Sequence, residues 1–381
     1  MTSRLYTTTR RLFRQVFGKL KALGLWAVLP PLSFSLLALY VCGLLLLERR
    51  QNVARLADWL PGRAHDALNR LLTQHPISTR KLFDCIVKWA GRLGKGYLVV
   101  DDVVVAKPFS ALCSWVGWTY STSEKRKVRG LHVVVVMLCI RHWRIPVAFR
   151  LWRPKANCAP QAYRTRPQLA YEMLVELVQS GLLVEFVTFD KMYTAGWLTK
   201  ALTRMGLVWV GVIEVKTTIC FRHRRWRASE LACWLKLKWR QALDIHARSI
   251  VAYLPTYGTL RLVVTKNRHG NFEILVTNAL DSDLSQIVRR KRQRWSVETL
   301  FRDAKQFCGL MACQCRLDVA MVRHVAFVLI AFLVLQMLRL RPTETLGEAK
   351  ERLQRETFIP DYYHKPPMLK GKISMQLLLS V

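Results

Sequence analysis

Four acidic side chains in this chain are placed where they could hold divalent metal ions. Asp101 and Asp102 lie inside the apolar, β-branched run YLVVDDVVVA, and Asp190 ends the run VEFVTFD. Glu298 lies in a stretch whose other charged residues are nearly all basic. A carboxylate inside an apolar strand is costly unless it is paired or binds a metal, and hard divalent cations prefer oxygen ligands. Two such ions about 4 Å apart can activate a nucleophile and stabilise a leaving oxygen in phosphoryl transfer.

The stretch KRQRWSVETLFRDAKQFCGL (291–310) surrounds Glu298 with cations at helical spacing. Arg294, Glu298 and Arg302 are four residues apart, and Lys305 follows three residues later. On a helix these side chains share one face. Two interpretations fit the pattern: a solvated helix stabilised by ion pairs, or a metal-ligating glutamate flanked by cations that contact phosphates.

The basic excess of the whole chain favours a polyanionic partner. The 381 residues include 60 Lys and Arg against 25 Asp and Glu, which gives a net charge of +35. Such a field attracts nucleic acid or an anionic membrane surface. Half of the residues are apolar, which excludes a disordered protein and leaves room for two or three domains. Ten cysteines without framework spacing are typical of a reduced protein, so we expect a cytoplasmic location.

An uncharged run near the N-terminus allows a second interpretation of the basic charge. Residues 22–47 are long enough to span a bilayer, with basic residues before them. Pro30 and Pro31 divide this run, and the remainder predicts a helix of about 16 residues. A helical bundle with an apolar core therefore explains the run as well as a membrane anchor does.

The hydrophobic period changes along the chain and predicts a mixed α/β fold after a helical start. Residues 1–90 have helical spacing, and the strands and helices from 97 to 214 follow the order β-β-β-α-β-α-β. Basic, tryptophan-rich and β-rich sequence follows. We expect these units: a helical N-terminal domain that binds DNA (1–90), a catalytic domain in two parts (91–215 and 286–340), a β-rich insertion (216–285) and a C-terminal tail (341–381).

The predicted strand order suggests how the acidic residues meet. Functional groups in α/β sheets favour the carboxyl ends of strands. If the first and fourth strands are neighbours, Asp101 and Asp190 come together, and Glu298 arrives on a helix that packs on the same sheet. The glutamate is then a metal ligand, and the cations around it face DNA.

The sequence resembles the cut-and-paste bacterial insertion-sequence transposases of the DDE class. The match is to their Y-x2-R-x3-E-x6-K signature, with Arg294, Glu298 and Lys305 at the R, E and K places. VVDD and FVTFDKMYTAG resemble the segments that carry that family's first and second aspartates. The tyrosine place holds Lys291, and the threonine usual after the first acidic pair is Val103. The resemblance covers roughly residues 25–340.

The resemblance implies a ribonuclease H-like core with a β-rich insertion before the glutamate. It implies that Asp101, Asp190 and Glu298 are catalytic and bind two Mg²⁺ (or Mn²⁺) ions, with Asp101 favoured over Asp102 as the first ligand. It implies hydrolysis at transposon ends, strand transfer into target DNA, double-stranded DNA with inverted terminal repeats as the partner, a homodimer in the DNA complex and no membrane. The alternatives are a catalytically inactive DNA-binding relative, for which the departures at Lys291 and Val103 would be symptoms, and a membrane-anchored basic protein.

The predicted DNA contacts come from two regions. The first is the signature stretch, with Lys291, Arg294, Arg302 and Lys305. The second is the insertion, where Trp226, Trp234 or Trp239 could stack an unpaired base and Arg224 and Arg225 could follow the backbone. These tryptophans could equally form the core of a small β unit.

Overall fold

The N-terminal part of the protein is helical, as the sequence predicts. The computed structural model describes residues 2–48, 51–58, 64–110, 113–121, 124–312 and 314–357. The first five helices are α1 Thr2–Ala22, α2 Pro31–Leu46, α3 Val53–Asp58, α4 Ala64–Thr73 and α5 Thr79–Gly91. Helix α2 begins at Pro31 because proline at the first helical position needs no backbone N–H partner.

In the described part of the chain, twelve strands form one mixed sheet. They are β1 Gly96–Ala106, β2 Gly117–Ser121, β3 Arg126–Ile140, β4 Trp143–Trp152, β5 Val184–Phe189, β6 Trp209–Ile213, β7 Thr218–Phe221, β8 Arg224–Arg227, β9 Lys238–Arg240, β10 Ile245–Leu254, β11 Gly258–Lys266 and β12 Phe272–Thr277. The order is β2-β3-β1-β5-β6-β12-β11-β10-β7-β8, with β4 paired to β3 and β9 paired to β10. The strands expected in the first part of the catalytic domain are present, and β2 is an additional one.

The strands of the expected insertion continue the catalytic sheet. Strand β12 pairs antiparallel with β6, with Val276 opposite Gly211, and β11 and β10 follow in turn. Strands β10, β11 and β12 account for most of the β-rich sequence expected here. Strands β7 and β8 form a hairpin at the far edge, where Arg222 and His223 both have positive φ. Positive φ at both central residues is the geometry of a tight two-residue hairpin turn.

Seven further α-helices among the described residues cover the sheet or close the core. They are α6 Arg166–Gln179, α7 Gly196–Arg204, α8 Ala228–Trp234, α9 Leu284–Arg292, α10 Trp295–Phe307, α11 Asp318–Met337 and α12 Leu346–Thr357. The stretch predicted as one helix over 291–310 is divided between α9 and α10. Around the break, the amides of Arg294 and Ser296 donate to carbonyls three residues back, which tightens the chain into a turn.

Helix α11 is the central core helix. Among the described residues it is the one helix long and apolar enough to cross a membrane, but 83% of its most apolar window is buried within the protein. Its polar side chains have partners in the protein interior: Arg323 donates to the carbonyls of Leu71 and Leu72, and His324 pairs with Tyr40 at 2.8 Å. Helix α2, from the uncharged N-terminal run, is also buried and contacts α11.

The pairing of β1 with its neighbours defines two faces of the sheet. Side chains alternate between faces along a strand, and directly opposed residues share a face. Asp101 lies opposite Val135, and Asp102 lies opposite Val134. Helix α10 contacts the Asp101 face of β1, whereas α6 contacts the Asp102 face. The two adjacent aspartates therefore meet different layers of the protein.

Candidate active site

Strand register brings Asp101 and Asp190 together on two neighbouring interior strands of the sheet. Strands β1 and β5 are parallel neighbours, and Val100 is aligned with Phe189. Asp101 and Asp190 are the next residues on the two strands, so their carboxylates share a face at the carboxyl end of β5. A turn fixes Asp190, whose Oδ1 accepts the backbone amide of Met192 at 2.9 Å. The neighbouring strands on which the predicted site depends are present in the structure.

Arg294 connects the third carboxylate to this pair. Its guanidinium donates from Nη1 to Asp101 Oδ2 at 2.7 Å and from Nη2 to Glu298 Oε1 at 2.5 Å. The side chains of Arg294 and Asp101 are 18% and 14% exposed, whereas Glu298 is 35% exposed. Arg294 precedes α10 and Glu298 lies in its first turn, so the ion pair spans four residues. One cation thus links the start of α10 to β1.

The two aspartates are electrostatically unfavourable neighbours. Burial and then the charge of Asp190 raise the pKa of Asp101 to about 7, although Arg294 opposes the shift. Burial also raises the pKa of Asp190, while its hydrogen bond from Met192 lowers it. Like charges in a desolvated site disfavour ionisation. A cation that bound between them would remove this penalty.

Asp102 is fully occupied by protein partners on the opposite face. Its Oδ2 accepts from Arg166 Nη1 and from His132 Nδ1, both at 2.8 Å, and its Oδ1 accepts from the Tyr193 hydroxyl at 2.8 Å. His132 Nε2 in turn accepts from the Thr119 hydroxyl at 2.6 Å when Nδ1 carries the proton. Despite its burial, these donors lower the pKa of Asp102. A carboxylate with three donors has little capacity left for a metal ion.

Sequence patterns alone do not indicate the partners of Asp102. His132 is the one polar residue in the run HVVVVMLCI, and a histidine in such a buried strand needs a partner. Tyr193 follows Asp190 by three residues and its backbone amide also lies 3.4 Å from Asp190 Oδ1. Tyr193 therefore connects Asp102 to the turn that holds Asp190.

The donor set fits a divalent metal ion in its chemistry. Asp101, Asp190 and Glu298 supply only carboxylate oxygens, which suit Mg²⁺ and Mn²⁺. In this structure Arg294 lies between Asp101 and Glu298, and no group of three or more His, Cys, Asp or Glu side chains in the described ranges is arranged as a metal site. Asp101 and Asp190 are the two potential ligands that the fold itself brings together.

The predicted DNA-binding cations of the signature stretch lie in different settings. Lys291 ends in an ion pair with Glu273 at 2.5 Å and is 24% exposed. Arg302 is 61% exposed and pairs with Asp303 at 3.0 Å. Burial lowers the pKa of Lys305, and nearby Glu124 partly offsets that shift. Arg302 is therefore the most accessible of the four cations, and Arg294 is the one in contact with the carboxylates.

The predicted contacts in the insertion lie far from the carboxylates. Strand β8, which carries Arg224, Arg225 and Trp226, is seven strand positions from β1, roughly 30 Å across the sheet. Trp226 is only 9% exposed, donates to the Phe221 carbonyl and packs in the core. Its ring is therefore not presented to an unpaired base, which corrects the stacking interpretation for this residue.

Other groups of the insertion remain at the surface. Trp234 and Trp239 are 47% and 43% exposed, and Arg224 and Arg225 are exposed as well. The Arg224 guanidinium lies 4.2 Å from the centre of the Trp226 ring. Any base stacking in this region falls to Trp234 or Trp239.

Comparison with known families assigns the chain to a class of nucleases. Residues 32–230 match the family model of the DDE superfamily endonucleases, and residues 155–334 match that of the transposase DDE domain. The first match spans just over half of the chain, so the chain belongs to the DDE superfamily endonucleases. Its mixed sheet and helical N-terminal region agree with the ribonuclease H-like fold of this class. A search of curated proteins gave no significant match.

Membership defines the broad activity. The chain is by family a transposase-type nuclease, a class that acts on DNA and generally uses divalent metal ions. The fold class expected from the sequence is confirmed, as is the relation to DDE transposases. The particular signature group and a bacterial insertion-sequence origin stay predictions.

Proposed function

We propose that this protein is a transposase that binds the ends of its own insertion sequence and catalyses their cleavage and strand transfer. The observation that carries the proposal is that Asp101 and Asp190 follow the aligned residues Val100 and Phe189 of adjacent parallel strands, with Glu298 linked to Asp101 through Arg294. The DNA-binding residues are Arg294, Arg302 and Lys305 on and beside α10.

Two Mg²⁺ or Mn²⁺ ions held by Asp101, Asp190 and Glu298 would supply the activated nucleophile and stabilise the leaving oxygen. Arg294 favours the ionised form of Asp101, because its positive charge opposes the rise in pKa that burial causes. For Glu298 and Asp101 to share a cation, the contact of Arg294 with Asp101 must be exchanged. The released guanidinium then becomes available to a phosphate, for which its planar fork is suited.

Lys291 occupies the tyrosine position of the signature, where its ammonium group would contact a DNA phosphate. Its ammonium is now satisfied by Glu273, so a phosphate would have to compete with this ion pair. The protein is proposed to be cytoplasmic and to act as a homodimer that bridges two inverted repeats.

The test is cleavage of a DNA fragment that carries the gene's own flanks, in the presence of Mg²⁺. The wild type is expected to cut at both ends of the element, and Glu298→Ala is expected to bind the fragment without cutting it. Glu351→Ala, which removes an exposed carboxylate that pairs with Arg355 one helical turn later on α12, is the matched control and should cut like the wild type. Binding without any cutting by the wild type would instead identify a catalytically inactive relative.

A further inference from the structure

The ribbon formed by β2 and the first residues of β3 presents an aromatic and basic stripe. Trp118 and Tyr120 are 76% and 58% exposed, although both lie in a regular strand. Trp118 pairs across the ribbon with Arg129, and Tyr120 pairs with Lys127. Opposed residues share a face, so the two rings and the two cations form one continuous stripe. Two large exposed rings side by side on a strand are unusual for a surface without a partner.

The stripe lies on the same face of the sheet as the catalytic carboxylate. Asp101 is opposite Val135 on β3, and alternate β3 residues from Val135 lead to Arg129 and Lys127. Trp118 and Tyr120 are opposite these two residues. The register therefore fixes the stripe and Asp101 on one side of the sheet, the side that α10 contacts.

The opposite side of the ribbon is fixed to the protein. Val128 and Ser121 are buried, and the Thr119 hydroxyl bonds to His132, which bonds to Asp102. Contacts on the Asp102 face thus hold the ribbon in place, while its other face is exposed to solvent. A surface held this way is suited to binding a rigid partner without first becoming ordered.

The separation between Asp101 and the stripe matches a length of double-stranded DNA. Arg129 is six residues along β3 from the partner of Asp101, and Lys127 is eight residues along it, which corresponds to about 20 to 27 Å. At 3.4 Å per base pair, that distance is about six to eight base pairs of duplex. Helix α10, which packs on this face, carries exposed Arg302. The charge of Glu124 also acts on Lys305, which places the far part of α10 near the ribbon tip.

We propose that the β2–β3 ribbon binds the duplex that flanks the scissile phosphate, about six to eight base pairs from it. A two-stranded ribbon fits the major groove, where Trp118 and Tyr120 would contact bases and sugars while Lys127 and Arg129 contact phosphates. Duplex DNA is favoured over a second copy of the chain at this surface, because Lys127 and Arg129 complement phosphates, whereas a second chain of net charge +35 would meet them with like charge. The inference rests on the proposed function, since it places the ribbon relative to the cutting site.

The first test measures DNA binding by fluorescence anisotropy for the full-length protein. Trp118→Ala/Tyr120→Ala should bind a 30-base-pair duplex about tenfold more weakly than the wild type. The matched control is Trp197→Ala, which removes an exposed ring from α7, a helix that contacts α6 in the layer on the Asp102 face. This control should bind like the wild type. Lys127→Gln should reduce the slope of log Kd against log salt concentration by about 0.9, the value for one phosphate contact.

The second test locates the contact. Duplexes that end about four base pairs beyond the mapped cut should bind the wild type and Trp118→Ala/Tyr120→Ala equally, whereas duplexes with about twelve flanking base pairs should separate them. A wild type that binds and cuts, with a ribbon variant that matches it on every duplex, overturns the inference alone. A wild type that binds no duplex DNA overturns the proposed function and the inference together. A variant that alters only self-association in sedimentation, with unchanged DNA affinity, assigns the stripe to a second copy and also overturns the inference.

Discussion

The adjacent residues Asp101 and Asp102 are expected to affect the stability of the fold in opposite directions. Above pH 7 the native protein carries an ionised Asp101 that burial and Asp190 disfavour, since these raise its pKa from 3.8 to about 7. Each unit of difference between the folded and unfolded pKa corresponds to about 1.4 kcal/mol. The raised pKa therefore reduces the free energy of unfolding by about 4 kcal/mol at pH 8 relative to pH 4.

The direction of this change with pH follows from the number of protons that the folded and unfolded states bind. Between pH 4 and pH 7 the folded protein keeps the Asp101 proton that the unfolded chain has lost, so stability falls as the pH rises and becomes constant above pH 7. Asp101→Asn removes this dependence. Asparagine forms weaker hydrogen bonds to Arg294, so the free energy of unfolding should rise by about 2–4 kcal/mol at pH 8, and this gain should vanish near pH 4.

Asp102→Asn is the matched comparison. The folded pKa of Asp102 is lowered, so its charge stabilises the native protein above its ordinary pKa and this stabilisation is lost as the pH falls. Breaking its contacts with Arg166 and His132 should cost about 3 kcal/mol at pH 8, as for other buried ion pairs that lose one partner.

Urea unfolding at pH 5 and pH 8 checks both variants, without metal and with Mg²⁺. A ligand that binds only the folded state raises its stability, so Mg²⁺ should stabilise the wild type more than Asp101→Asn. If both variants shifted stability in the same direction at pH 8, or if the effect of Asp101→Asn did not depend on pH, the electrostatic reasoning for the site would be refuted.

Three further predictions concern the site and the sheet that positions it. Arg294→Gln should move the acidic limb of the cleavage pH profile to higher pH, because loss of the guanidinium raises the pKa of Asp101; an unmoved limb would contradict the contact between them. In urea unfolding, Gly96→Ala should lower the free energy of unfolding by about 1–3 kcal/mol, because the new Cβ would lie 2.4 Å from a backbone oxygen of β3. The control Gly91→Ala should be neutral or stabilising, because its new Cβ meets no atom within 4 Å. Trp226→Ala should cost about 3–5 kcal/mol in the same assay if the ring belongs to the core, and a cost near zero would return it to the DNA-binding surface.

The fold up to β6 could be predicted largely from local patterns. Apolar β-branched runs identified β1, β3 and β5, and helical spacing with a glycine stop identified α6. The pairing of β1 with β5 entered only as a condition of the predicted site, because α6 connects β4 to β5 and local pattern does not show which strand β5 joins. Strand β2 was missed because GWTYS is short and exposes its aromatic residues, which local pattern cannot distinguish from a loop.

The sequence allowed the carboxylates of the site to be predicted, but not the side chains that contact them. Carboxylates stand out in a basic chain, so Asp101, Asp190 and Glu298 could be selected from the sequence. The environment of Asp102 could not, because His132 and Arg166 reach it from other elements, 30 and 64 residues along the chain. The burial of Trp226 depends on its packing against Trp234, with ring centres 5.1 Å apart, which likewise follows only from tertiary structure.

Whether the three carboxylates bind the metal ions is tested most directly by Mn²⁺ binding, measured by electron paramagnetic resonance on the protein in complex with a duplex that carries an uncut end. If Asp101, Asp190 and Glu298 are the ligands, Asp101→Asn and Asp190→Asn should each lose bound Mn²⁺, Glu298→Gln should do so as well, and folded Asp102→Asn should retain it. Full retention of Mn²⁺ by Asp101→Asn, or its loss only in Asp102→Asn, would contradict the account of this site.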